Sequence, residues 1–228
     1  MALEIFWGSG SPFSWRVLLA AEVKGLEYTS RLLDFSKGDL GTPEFLQMNP
    51  RARVPVIRDD GFVLFESLPI LEYLEHKSPA VPLFGKDPRV AACVRQLISE
   101  FESYLREPVF NLTLDLLRSA GAGPPGRAMT RNELEETAKA AQRELKTFEE
   151  SVAGGAWLVG ATPSAADVAI YPFLATLERA TTKAETLARA TGLHPFRETY
   201  PGVGRWMELV EALRGYERTY PPHWRAAR

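Results

Sequence analysis

Trp7-Gly8-Ser9-Gly10-Ser11-Pro12-Phe13-Ser14-Trp15-Arg16-Val17 sets the frame for this chain. Before it, Leu3 to Trp7 is a short apolar run that reads as a buried strand. Gly8, Ser9 and Gly10 end that strand in a loop. Ser11-Pro12 then opens a helix: serine suits the N-cap, and proline suits the first helical position, where its missing N–H costs nothing. Trp15, Leu18 and Leu19 share one face of this helix, which stops near Gly25. Tyr28 to Leu33 reads as a second strand. Thr42-Pro43-Glu44 opens a short helix by the same cap logic, and Asn49-Pro50 closes it. Val54 to Arg58 and Phe62 to Phe65 flank Asp60-Gly61, a hairpin signal. Ser67 caps a third helix with Ile70, Leu71 and Leu74 inward. The order is strand, helix, strand, helix, hairpin, helix.

From Pro88 onward the pattern changes to helical. Val90, Val94, Leu97, Ile98, Phe101, Tyr104 and Leu105 recur at three- and four-residue steps, and Cys93 falls beside this apolar line as a core residue. Pro108 is expected to kink this helix. Leu134, Ala138, Ala141, Leu145, Phe148 and Val152 form a second series. Ser164 and Asp167 form a capping box at a third helix, which Pro172 interrupts. A last helix carries Trp206, Leu209, Val210 and Leu213. The reading divides the chain into residues 1–77, a proline-rich linker 78–87 and a helical half 88–228.

Composition narrows the function classes. The chain has 228 residues, 45% hydrophobic and 25% charged, which suits one or two folded domains. Its 27 Lys and Arg against 29 Asp and Glu give a net charge of −2, so no basic excess points to nucleic acid. One cysteine excludes an intrachain disulfide and a Cys-only metal site. His76, His194 and His223 lack metal-ligand spacing and read as surface or capping histidines, so no metal is expected. No stretch reaches the ~20 apolar residues that span a bilayer. Glu4 and Arg16 interrupt the apolar N-terminal residues, unlike a signal peptide. A cytoplasmic protein without a membrane or nucleic-acid partner is expected.

Three local features carry chemistry. Ser11 stands at a helix N-terminus, where backbone amides and the helix dipole favour an anion. It is either a plain N-cap or a hydroxyl that can donate to a thiolate supplied by a ligand. In a thioredoxin-like arrangement Ser11 and Ser14 occupy the Cys-x-x-Cys positions, and serines cannot exchange disulfides. Val54-Pro55-Val56 is either an ordinary edge proline or an open backbone edge on which an extended peptide docks. Ser67, behind Glu66, is either a simple cap or a carboxylate holder beside an amine holder. Taken jointly, the three match a short thiol peptide with a free amino-acid end.

The sequence resembles the cytosolic glutathione transferases over essentially its whole length. Ser-Pro-Phe-Ser-Trp-Arg-Val, Asn-Pro-Arg-Ala-Arg-Val-Pro-Val, Phe-Glu-Ser and Ser-Ala-Ala-Asp occur in family order. The pattern is similar to the serine-type branches (zeta-, tau- and phi-like). The resemblance implies an α/β thioredoxin-like N-terminal domain followed by an all-α domain. It implies that Ser11 hydrogen-bonds the glutathione sulfur and that Val54, before a cis Pro55, pairs with the cysteinyl unit. It implies that Glu66 and Ser67 hold the γ-glutamyl end. Arg53 is expected beside the glutathione site, and Lys37 near the glycine carboxylate. A small hydrophobic electrophile is expected between the halves, against Phe13, Phe110, Leu112 and Leu114. Glutathione enters as co-substrate, and the family pattern implies a homodimer. Conjugation leads; zeta-like isomerisation and a non-catalytic binding module are the alternatives. Ser-Pro-Phe-Ser in place of the zeta branch's Ser-Ser-Cys-Ser weighs against isomerisation.

Overall fold

The computed structural model describes residues 3–152, 154 and 156–225. It contains two compact units: the described residues of Met1–Lys86 together with those of Glu211–Arg228, and Asp87–Val210. Residues 211–225 therefore belong with the first unit, not with the helical half 88–228 in which the sequence reading put them. Contacts far apart in sequence decide that, and no local pattern encodes them.

In the first unit, β1 (Leu3–Gly8) is followed by α1 (Pro12–Val23) and β2 (Tyr28–Leu33). After α2 (Pro43–Met48) come β3 (Val56–Asp59), β4 (Phe62–Phe65) and α3 (Ser67–Lys77). The sheet order is β2-β1-β3-β4. β1 and β2 run parallel with Leu3 opposite Tyr28, so the connection must cross over, and α1 provides the crossover. β3 runs antiparallel to β1 with Ile5 opposite Ile57. Asp60 (φ 49°) and Gly61 (φ 85°) both occupy the left-handed region that the tight hairpin turn requires. β1 is central and buried, which suits its continuous apolar run. Glu4 on β1 pairs with Arg58 on β3 at 2.6 Å and with Arg31 on β2 at 2.8 Å. The Arg58 hydrogen bond outweighs desolvation and holds the Glu4 carboxyl below its usual range. β3 starts at Val56, leaving Val54 and Pro55 outside the ladder. Ser67 is the first residue of α3 and Glu66 takes the N-cap position, one residue earlier than expected.

In the second unit, α4 (Pro88–Glu100) runs into a π-helical turn at Phe101–Leu105 and then α5 (Arg106–Ser119). Pro108 explains the wide turn: its ring crowds the carbonyl four residues back, at Tyr104, and cannot donate to it. Cys93 is exposed, contrary to the expected core position. The buried line of this helix runs through Val94, Ile98, Phe101 and Leu105, and one residue's rotation of ~100° carries position 93 off it. α6 (Arg131–Val152) packs on α5. α7 (Ala165–Lys183) continues through Pro172, which does not interrupt it. The capping box is present, and Asp167 is fully buried. Its carboxylate accepts from Leu158 N, Ser164 N and Trp206 Nε1 at 3.1, 2.8 and 2.8 Å. Burial pushes its pKa up despite these bonds. Short helices α8 (Glu185–Ala190) and α9 (Phe196–Thr199) precede α10 (Pro201–Glu211). Two more, α11 (Tyr216–Thr219) and α12 (Pro222–Arg225), lie in the first unit.

Candidate functional site

Ser11 has extended backbone angles and caps α1 by accepting from the Ser14 amide at 3.3 Å. Its own amide donates to Gly8 O at 3.1 Å, closing the loop into a turn. The bond from Ser14 uses a lone pair on Ser11 Oγ and leaves the hydroxyl hydrogen available to donate. Ser14 is different: it is fully buried, and its Oγ accepts from Gly8 N at 3.4 Å. Burial of Ser14 accords with the reading of Ser11, not Ser14, as the serine open to a ligand.

Phe13, Asn49, Arg53, Val54, Pro55, Glu66 and Ser67 line one cavity with about 370 Å³ of empty space open to solvent. Four residues expected around glutathione (Arg53, Val54, Glu66 and Ser67) meet there, together with Phe13. The Val54-Pro55 bond is cis. Glu66 is exposed and has φ 72°, a conformation L-residues rarely adopt, with a cost on the order of 1–3 kcal/mol. Outliers of this kind concentrate at ligand sites. Ser11 does not line this cavity, although Phe13, two residues on, does. Lys37 also lies outside it, highly exposed and paired with Asp34 at 3.3 Å.

Phe110 and Leu114 sit one turn apart on α5 of the second unit, both half-buried. Phe110 packs edge-on against Phe173 at 6.2 Å. Leu112 is fully buried and serves as core rather than as a ligand wall.

The sequence reading missed three supporting residues. Asn49, 2% exposed, donates to Arg53 O at 2.7 Å and accepts from Arg51 N at 3.1 Å. It thereby shapes the turn that presents Arg53 and Val54. Arg16, 1% exposed, donates to Ser67 Oγ at 3.2 Å and lies over the Phe13 ring at 5.5 Å. An arginine among the apolar residues of α1 was the available signal. His223 Nδ1 lies 2.5 Å from Ser9 Oγ, a contact across more than two hundred residues that no local pattern shows. Among the described residues no group of three His, Cys, Asp or Glu is placed to hold a metal ion. No helix among them is long and apolar enough to cross a membrane.

Residues 10–77 match the family model for the glutathione S-transferase N-terminal domain, and residues 131–209 match that for the C-terminal domain. Glutathione S-transferase A of Pleuronectes platessa is 30% identical over 227 residues, covering 97% of this chain and 92% of the relative. The chain belongs to the glutathione S-transferase family. Maleylacetoacetate isomerase of Rattus norvegicus is 32% identical over 215 residues, with 92% and 88% covered. A glutathione S-transferase from the Antarctic clam Laternula elliptica superposes with a TM-score of 0.76 at 27% identity, over 99% and 94% of the two chains. Poplar glutathione transferase F1 shares the fold over the full length of both chains at a TM-score of 0.79 and 22% identity. The four-stranded mixed sheet followed by helices is the thioredoxin-like and all-α pair of this glutathione S-transferase fold.

Proposed function

We propose that this glutathione S-transferase holds glutathione in the cavity of the first unit and joins its sulfur to a small hydrophobic electrophile. The observation that carries the reading is the convergence of Val54, cis Pro55, Glu66 and Ser67 on one cavity that also contains Phe13. In this reading, the Val54 backbone pairs with the cysteinyl unit. Glu66 faces the α-amino group, and Ser67 with the start of α3 faces the α-carboxylate. Arg53 lies alongside, and exposed Lys37 reaches the glycine carboxylate by leaving Asp34. Phe13 supplies an apolar surface to the electrophile beside the cavity.

Ser11 donates its hydroxyl hydrogen to the glutathione thiolate. A thiol of pKa ~8.5 is only about 3% ionised at pH 7. Bringing it near 7 takes about 2 kcal/mol, and a hydrogen bond to a charged group contributes about 1.5–3 kcal/mol. One hydroxyl, assisted by the N-terminus of α1, is therefore enough. The thiolate then attacks an electrophilic carbon: the C–S bond forms and the leaving group departs with its electron pair. A chain with one cysteine suits the reducing cytoplasm in which a thiol co-substrate persists. A homodimer belongs to the same proposal, and sedimentation velocity tests it.

Turnover of a chromogenic aryl halide is expected to fall at least tenfold in Ser11→Ala. Equal rates for the two proteins would refute the assigned role. The isomerase relatives favour a second reading, in which the thiolate adds to a double bond and leaves again. Product analysis separates the two: a rearranged substrate with an undiminished thiol pool supports isomerisation.

A further inference from the structure

The loop that carries Ser11 is held from two sides. At its start, a Cβ on Gly8 would stand 2.0 Å from Cζ of Phe35, so the Phe35 ring lies directly on the backbone. At its end, a Cβ on Gly10 (φ 81°) would stand 2.9 Å from Cε1 of His223. Between them, Ser9 Oγ meets His223 Nδ1 at 2.5 Å. Gly10 is favoured by its backbone angle, and at Gly8 an added Cβ would displace the half-exposed Phe35 ring.

His223 reaches this loop because residues 216–224 are anchored on α1. Trp15 Nε1 donates to Thr219 Oγ1 at 2.8 Å. The Trp15 ring contacts Tyr216, Tyr220 and Trp224 at centroid distances of 6.2, 5.9 and 5.5 Å. Arg218 pairs with Glu22, whose carboxylate also accepts from Tyr28 OH at 2.9 Å. Trp15, Thr219 and Trp224 are all buried, so this is a packed attachment.

We infer that His223 is a positioning residue for Ser11, acting through Ser9. The inference rests on the reading of Ser11 as the donor to the glutathione thiolate. Ser11 N already bonds Gly8 O, so the turn from Gly8 to Ser11 has few remaining freedoms. Tethering Ser9 to His223 restrains what is left and so steadies the Ser11 hydroxyl, whose oxygen the Ser14 amide already holds at 3.3 Å. Misaiming that hydroxyl weakens its bond to the thiolate but leaves the cavity at Val54 and Ser67 intact. The cost should therefore fall on thiol ionisation and kcat, with little change in the KM for glutathione.

The test measures the ultraviolet thiolate absorbance of bound glutathione against pH, with kcat and KM, in the full-length protein. The Ser9–His223 pair is exposed, so the low end of a hydrogen bond's worth applies: a 2- to 5-fold loss of kcat, roughly. His223→Ala should raise the pKa of the bound thiol and lower kcat by that factor, at a glutathione KM within twofold. His223→Asn, which keeps a hydrogen-bonding atom near the Nδ1 position, should recover most of the loss. Ser9→Ala should match His223→Ala, and the double variant should be no worse than either. Arg218→Met loosens the anchor that brings His223 to Ser9; it should lower the melting temperature and shift the thiol pKa in the same direction as His223→Ala, by no more. An unchanged thiol pKa in His223→Ala, or a larger shift in Arg218→Met than in His223→Ala, would overturn the inference. Ser11→Ala, run in parallel, separates the two readings. If it keeps the thiol acidic, the Ser11 assignment itself fails; if it does not, a failure of His223→Ala counts against His223 alone.

Discussion

Replacing Asn49 tests how the cavity is built. Its side chain makes two bonds to the turn after α2: to Arg53 O at 2.7 Å and from Arg51 N at 3.1 Å. The same turn holds Ala52 at φ 51°, a conformation that costs an L-residue about 1 kcal/mol. Asn49 is 2% exposed, so water does not readily replace the lost bonds. Each bond contributes about 0.5–1.5 kcal/mol, and stranding a buried partner costs about 1–3 kcal/mol. Asn49→Ala should therefore destabilise the protein by about 2–3 kcal/mol. With a urea slope of about 2 kcal/mol per M, the midpoint should drop by about 1–1.5 M. The KM for glutathione should rise several-fold while kcat falls less, because Val54 is mispresented and Ser11 is not. Asn49→Asp keeps the acceptor for Arg51 N but turns the donor into a repelling oxygen at Arg53 O. It should bind glutathione no better than Asn49→Ala. A stability loss under about 0.5 kcal/mol, or an unchanged KM, would refute this account of the turn.

Gly8→Ala should cost no more than about 1 kcal/mol, because the half-exposed Phe35 ring can move aside, and adding Phe35→Ala should restore most of it; thermal melting of the single and double variants reads the coupling. Glu75 is predicted to govern part of the acid limb of stability. Burial alone would raise its pKa, but the Lys24 ammonium at 2.7 Å and the Leu83 and Phe84 amides outweigh burial and hold it below 4.5. A lowered carboxylate pKa gives stability that is complete above the unfolded value and is lost as pH falls through the folded one. Glu75→Gln should cost about 3 kcal/mol near pH 7, because it removes the carboxylate that compensates the buried Lys24 charge and leaves only the Val81 carbonyl at 2.6 Å. The gap to the parent protein should narrow as pH falls below the ordinary carboxylate range in urea titrations; a gap independent of pH would contradict the linkage.

Much of the first unit was legible in the sequence because its signals are local. Ser11-Pro12 starts α1, and Asp60-Gly61 turns the β3–β4 hairpin, each for a steric reason contained within a few residues. The second unit was legible as helices but less so in detail. Cys93 is exposed and Leu112 is core because small rotations of a helix decide burial. Pro172 shows the same limit from the other side, since packing carries α7 through a residue that disfavours helix locally.

The amino-acid order by itself determined the strand and helix succession, the capping serines and the motif residues around the cavity, because backbone sterics and capping act over a few positions. Only the tertiary structure decided how deeply Ser14 is buried, which polar side chains brace the cavity, and that residues 216–224 pack on α1. Those outcomes depend on groups remote in sequence sharing one small volume, where exclusion of water gives each contact its energy.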